Sequence, residues 1–226
     1  MTGLSQPCYP NDYMGVEFPL NNMNLWTYDN ILSRDDYYVL MDEFRQQYNP
    51  WVFQKKEHLS YKCDGTKIKD RIGHVPYPKW GSIHKPSSEE GLGDSLPLIN
   101  IGEKLKYIVQ KQLKFNVYLE RINTNIQFPG QEGTFHFDGN YHMFTLIVMV
   151  CNGWESQWGG DFICVDKEDN HEIVPYRPNR GVLFQADYKH RGSAPNNFAW
   201  KERKTIAFTY CDSRYVKRPK FSRGKK

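Results

Sequence analysis

The feature that most constrains the fold is a change of hydrophobic period near residue 115. Before it, two stretches repeat at helical spacing. Tyr37, Leu40, Met41 and Phe44 form an apolar stripe that opens at Ser33, with Asp36 three residues on, and stops before Pro50. That spacing predicts a helix from Ser33 to about Gln47. Leu105, Ile108, Val109 and Leu113 form a second stripe and predict a helix from about Ile101 to Lys114. Beyond it the period is two, the spacing of side chains on one face of a strand. Strands are expected at 116–127, 134–138, 143–151, 160–165, 171–175, 181–185 and 204–210, parted by Pro129-Gly130, Asn152-Gly153, Gly159-Gly160 and Pro178. Two helices followed by this run of strands predict a mainly β fold with flanking helices, a sandwich or barrel whose natural closed form is the jelly roll.

The remaining segments frame that core. The polar, turn-rich first 28 residues read as an arm, and 51–70 as strand-like. Residues 74–97, with four prolines and three glycines, read as an irregular loop of the kind that forms lids or binding elements. A single domain of 226 residues is expected: arm 1–28, helical and loop support 29–115, jelly-roll core 116–211 and a basic tail 212–226. The longest apolar run, Leu146–Cys151, is strand-sized, and Met1 to Pro10 has neither part of a secretion signal. A cytoplasmic protein with no membrane partner is therefore expected. Cys8, Cys63, Cys151, Cys164 and Cys211 are odd in number and form no Cys-x-x-Cys pair, which argues against a disulfide framework or a Cys zinc site and for buried thiols.

The net charge of +4 is unevenly distributed. The last 13 residues carry seven cations and no acid, so the body is net −3. Such a tail suits nucleic acid or another polyanion, and equally a solvated chain end.

The chemistry-bearing segment is Gly130-Gln-Glu-Gly-Thr-Phe-His136-Phe-Asp138-Gly. On a strand, His136 and Asp138 point to one side. His190, after the apolar run 181–185, is the candidate for a third corner, and two imidazoles with a carboxylate form the facial set used for non-haem Fe(II) chemistry. Alone, His-x-Asp also fits a hydrogen-bonded surface pair. His142, His171, His58, His74 and His84 have no comparable partner and read as structural or exposed. Thirteen residues after His190, Arg203-Lys204-Thr205 enters an apolar strand. A guanidinium and a hydroxyl on one face suit a bidentately held carboxylate. Parity alone leaves Lys204 open, and a plain basic edge pair would need no function; sharing a face with Thr205, opposite Ile206 and Phe208, favours Arg203.

The segment Asn125-Ile-Gln127-Phe-Pro-Gly130-Gln-Glu-Gly133-Thr-Phe-His136-Phe-Asp138 resembles the prolyl-4-hydroxylase-like branch of the 2-oxoglutarate- and Fe(II)-dependent oxygenases, bacterial and phage-type members included. The similarity continues in order through 145–150, Trp158-Gly-Gly-Asp-Phe, Pro178-Asn-Arg180-Gly, His190-Arg-Gly and Arg203-Lys-Thr, over roughly residues 118–210. It implies a double-stranded β-helix, another name for this jelly roll. His136, Asp138 and His190 are implied as catalytic Fe(II) ligands. Arg203 with Thr205 would bind the distal carboxylate of 2-oxoglutarate, and Asn125 and Gln127 would touch the co-substrate or order its surroundings. The implied reaction uses O2 and converts 2-oxoglutarate to succinate and CO2 while hydroxylating a C–H bond. Collagen-type enzymes of animals and plants usually bind that carboxylate with Lys where Arg203 stands, which weakens the inference to collagen-like prolines as substrate.

The substrate is expected to be a peptidyl side chain of prolyl type, with a small molecule open. A nucleobase reached through the basic tail is the alternative, although a net acidic body argues against an extended nucleic-acid groove. Tyr77, Trp80, Tyr141, Trp154 and Trp158 are candidates for a site mouth, or for ordinary packing. From other classes come a non-catalytic jelly-roll binding module and a cupin with different chemistry.

Overall fold

A computed structural model describes residues 23–42, 96–166 and 168–215 in full and, outside them, the backbone of residues 18–19, 43–45, 52–54, 59–61, 67–69 and 79–84. In chain order the elements are β1 (Phe18–Pro19), β2 (Leu25–Tyr28), α1 (Arg34–Arg45), β3 (Val52–Gln54), β4 (Leu59–Tyr61), β5 (Lys67–Lys69), β6 (Lys79–His84) and α2 (Leu96–Leu113). The strand-rich half follows: β7 (Val117–Gln127), β8 (Met143–Met149), β9 (Phe162–Val165), β10 (His171–Val174), β11 (Gly181–Gln185), β12 (Lys189–Gly192) and β13 (Arg203–Asp212). Eight strands form one antiparallel sheet in the order β1-β2-β11-β8-β13-β7-β6-β3, and β10-β9-β12 form a second; β4 and β5 pair separately. The two larger sheets face each other as a jelly roll, the double-stranded β-helix, with α1 and α2 behind the larger one.

Alternation along β13 shows why the layers stack this way. Ile206, Phe208 and Tyr210 turn to the helices and join Leu98, Ile101, Leu105, Val109, Leu146 and Val148 in one core. Thr205, Ala207 and Thr209 occupy the other face, where Ala207 packs with Ile147, Met149, Val182 and Phe184 against Phe162, Cys164 and Val174 of the smaller sheet. Helix α2 sits close because Gly102 has no side chain: a Cβ there would lie 2.6 Å from Leu119 and 3.0 Å from Phe208. Tyr210 Oη donates to the Gly102 carbonyl at 2.7 Å and satisfies the buried phenol.

Helix α1 begins where the sequence predicts. Ser33 Oγ accepts the Asp36 N–H at 3.2 Å and donates to the Asp36 carboxylate at 3.0 Å. The segment before it is latched to the 177–181 turn. Arg180 grips Asp29 with two bonds of 2.6 and 2.8 Å, while the Asn179 side chain donates to the Leu32 carbonyl and accepts its N–H. Asn179 has φ 58°, a left-handed conformation that Asn tolerates better than most residues. The bidentate guanidinium holds the Asp29 carboxyl below its usual range, against a smaller opposing effect of burial.

Several expectations are corrected. β6 lies within the predicted irregular loop and pairs with both β3 and β7. Helix α2 starts before Ile101, with Pro97 in its first turn, where a proline has no helical N–H bond to lose. The predicted 134–138 strand is a single bridge, His136 with His190. Its next N–H, from Asp138, turns away from β12 to the Ala186 carbonyl, so the ladder does not continue. β2, read as part of an arm, is a sheet strand between β1 and β11. Cys151, Cys164 and Cys211 are buried free thiols, with Cys164 pushed up to about 12 by burial; Cys8 and Cys63 lie outside the described residues. Residues 216–226 of the basic tail also lie outside them. Among the described residues, no helix is long and apolar enough to cross a membrane.

Two predictions follow from this packing. Phe208→Ala should cost about 3–5 kcal/mol, whereas Tyr210→Phe should cost about 0.5–1.5 kcal/mol, both read from urea midpoints. The reverse order would show that the Tyr210–Gly102 hydrogen bond, not the packing, holds α2. The Asp29 latch adds a pH signature. Its carboxyl is depressed on folding, so its contribution is present above the ordinary value of 3.8 and is lost as pH falls through the lower folded value. The melting-temperature gap between wild type and Asp29→Asn should therefore be constant from pH 6 to 8 and close in strong acid; a gap that persists there would remove the ion pair as its cause.

Candidate active site

The inter-sheet face carries a cleft of about 760 Å³, counted out to bulk solvent, with a cluster of metal-ligand side chains and a buried cation among its walls. His136 and His190 face each other across the bridge, each N–H donating to the other's carbonyl at 3.0 Å. Their rings lie 4.4 Å apart. The Nδ1 atoms bond to carbonyls two residues earlier, His136 to Thr134 at 2.8 Å and His190 to Tyr188 at 2.9 Å. A carbonyl can only accept, so both Nδ1 atoms carry the proton and both Nε2 atoms are left as the ligating ends. These ends point at one carboxylate: Asp138 Oδ1 is 3.7 Å from His136 Nε2, and Oδ2 is 3.5 Å from His190 Nε2.

The three ligand atoms lie within 4.8 Å of one another. Burial pushes the Asp138 carboxyl up, but the surrounding His190, His136 and Arg121 side chains outweigh that effect and hold it well below the usual carboxylate range. Two neutral imidazoles and one ionised carboxylate on one face fit a divalent first-row metal and leave its remaining positions to the cleft. The donor set thus fits Fe(II).

The cation is Arg203, 3% exposed. Its Nε donates to the Gly160 carbonyl at 2.6 Å and Nη1 to Gln127 Oε1 at 2.7 Å; the Tyr176 ring lies 5.3 Å from Cζ. Among the described residues no carboxylate pairs with it. Burial lowers its pKa, yet a guanidinium stays charged in proteins, so an uncompensated cation faces the cleft. Room for it comes from Gly192, where a Cβ would lie 2.8 Å from the guanidinium carbon. Gly159 and Gly160, at φ 67° and 80°, make the turn that presents the Gly160 carbonyl.

The structure brings His136, Asp138, His190, Arg203, Thr205, Asn125 and Gln127 to this one cleft. Gln127 is already engaged: it accepts from Arg203 and donates to the carbonyls of Gln131 and Gly192. Lys204 turns to the other side and pairs with Glu202 at 2.6 Å. Among the mouth candidates, Trp158 is buried, Trp154 packs on Tyr176 with centroids 4.4 Å apart, and Tyr141 is exposed away from the cleft lining, so packing explains the two tryptophans. Tyr77 lies outside the described residues, and Trp80 is described in its backbone only. His171 is exposed, while His142 stacks on Tyr215. Sequence reading missed Asn123, Arg121 and Gly192. The resemblance selected Asn125 and Gln127; the alternation of β7, continued from them toward the strand's start, was the signal for the first two.

No protein-family model matches the chain, and no curated protein matches it in sequence. Solved structures do. A prolyl-4-hydroxylase from Pseudomonas putida is 12% identical with a TM-score of 0.57, over 84% of this chain and 94% of that one. The non-haem α-ketoglutarate-dependent epimerase SnoN of nogalamycin biosynthesis is 11% identical with a TM-score of 0.61, over 84% and 78%. A prolyl hydroxylase from Trichoplax adhaerens, in complex with a hypoxia-inducible-factor peptide fragment, is 13% identical with a TM-score of 0.55, over 86% of each chain. The chain therefore has the double-stranded β-helix fold of prolyl-4-hydroxylases and other 2-oxoglutarate- and Fe(II)-dependent oxygenases, the group its sequence resembles.

Proposed function

We propose that this protein is a 2-oxoglutarate- and Fe(II)-dependent oxygenase that hydroxylates a C–H bond of a peptidyl side chain of prolyl type. The observation that carries the reading is one cleft holding both a His-Asp-His ligand cluster and a buried guanidinium without a carboxylate partner among the described residues. His136, Asp138 and His190 would hold the iron, and Arg203 with Thr205 the distal carboxylate of 2-oxoglutarate. When bound, iron and co-substrate would supply the activation of O2 at the expense of 2-oxoglutarate, giving succinate, CO2 and an oxidised C–H bond.

The chain's own residues have defined tasks in this reading. The two backbone carbonyls fix the imidazole tautomers, so no proton has to move before a metal binds. Asp138 enters ionised. Arg203 is pre-oriented by Gly160 and Gln127, and its fork, already desolvated, has its missing anion supplied by the keto acid. Asn125 lies in register with Thr205 and flanks the same part of the cleft. Phe162, Ile147 and Ala207 add an apolar part to the cleft wall.

A peptidyl substrate is supported by the prolyl hydroxylases among the similar structures, one of them holding a peptide. The small-molecule epimerase SnoN favours the second reading, a free metabolite. The buried free thiols suit a reducing, intracellular setting.

Anaerobic addition of Fe(II) and 2-oxoglutarate to the metal-free protein tests the reading. Wild type should develop the visible charge-transfer band of a chelated keto acid and, with O2 and substrate, form succinate. His136→Ala and Asp138→Ala should lose both. Arg203→Met should keep the metal but bind 2-oxoglutarate about 30-fold or more weakly, because a desolvated charge pair loses one partner. Folded wild type without a band would defeat the assignment.

A further inference from the structure

Strand β7 contains an irregularity beside the cleft. Its pairing with β13 shifts between Thr209 and Tyr210: Thr209 lies opposite Arg121, but Tyr210 lies opposite Leu119, leaving Glu120 extra. Such a bulge changes which face the following side chains occupy. Here it lets Val117 and Leu119 reach the helix-side core together with Ile122, three residues beyond Leu119, while Arg121 falls in phase with Asn123, Asn125 and Gln127. A regular strand would satisfy one of these two sets at the other's expense.

The re-aimed Arg121 reaches the ligand segment. Its Nη2 donates to the Asp138 carbonyl at 2.8 Å, and its Nε is buried with no partner among the described residues. Asp138 N–H in turn donates to the Ala186 carbonyl at 3.0 Å. The Asp138 peptide groups are thus gripped from both sides. This matters because Gly139 comes next, in a tight spot where a Cβ would lie 2.7 Å from Met143 Sδ. His136 and His190 each have a ring nitrogen tied to a carbonyl, whereas among the described residues the carboxylate has no such tether of its own. Its position is set by its backbone.

We propose that Arg121 is the positioning residue of the metal centre: it never touches the metal, but by holding the Asp138 carbonyl it sets the site's affinity for divalent metal. This rests on the reading of His136, Asp138 and His190 as metal ligands. Outer-shell partners of this kind are worth about 10- to 100-fold in metal affinity.

The test is an anaerobic Co(II) titration of the full chain without 2-oxoglutarate, followed by its visible absorption, and then a 2-oxoglutarate titration of the metal-saturated protein. Arg121→Met should bind Co(II) about 10- to 100-fold more weakly than wild type. Its 2-oxoglutarate affinity, once saturated with metal, should stay within about threefold of wild type, whereas Arg203→Met should show the opposite pattern. Arg121→Lys, which keeps the charge and a donor, should recover most of the loss. Should Arg121→Met not fold, Arg121→Gln replaces it with the same expectation. Unchanged Co(II) affinity in a folded Arg121→Met or Arg121→Gln overturns the proposal alone, as does an equal weakening of both ligands, which would mark a general loosening. Wild type that binds no Co(II) overturns the metal-centre reading itself.

Discussion

A guanidinium almost wholly buried and away from any described carboxylate makes demands on everything near it, and much of the cleft is organised around Arg203. Removing such a charge from water costs several kcal/mol unless other groups replace the lost hydration. Gly160 and Gln127 supply two acceptors, and the Tyr176 ring supplies a π face. Gly192 leaves the space, and the paired glycines at 159–160 shape the turn. These replacements are neutral groups. They stabilise the cation without cancelling its charge.

At the other end the logic is reversed. Two imidazoles are locked by main-chain carbonyls into the form that offers lone pairs, and a carboxylate is held between them. One cleft thus holds both a buried cation and a convergence of electron-pair donors. Under the proposed function, a guest that is both anionic and metal-chelating would engage both. The fold contributes by alternation: β13 and β7 keep polar side chains on the inter-sheet face while their neighbours build the helix-side core.

That alternation is also what made the site readable from sequence. Arg203 shares its face with Thr205, opposite Ile206 and Phe208, and lines the cleft where Lys204 does not, while His136 and Asp138 both reach the cleft although only His136 keeps a strand-like bridge. Features without a period signal were missed. β12, Lys-His-Arg-Gly, has no apolar residue to mark it. β6 was hidden by the prolines and glycines around it. Arg121 is in phase with Asn123, Asn125 and Gln127, but a count from the strand's start, across Glu120, assigns it to the face of Val117 and Leu119. Whether 134–138 forms a full strand or a bridge depends on where the Asp138 N–H goes, and the Ala186 carbonyl that takes it lies far along the chain.

The placement of β2 reaches beyond the site. β11 is an interior strand only because β2 covers it on one side, with β8 on the other. A shortened chain beginning after Tyr28 would convert the five-residue, largely buried β11 into an open sheet edge, with unpaired N–H and C=O groups available to any other extended chain. Cutting away the apparent arm to obtain a neater core would thus create a template for self-association. The useful N-terminal boundary for producing the protein lies before Leu25.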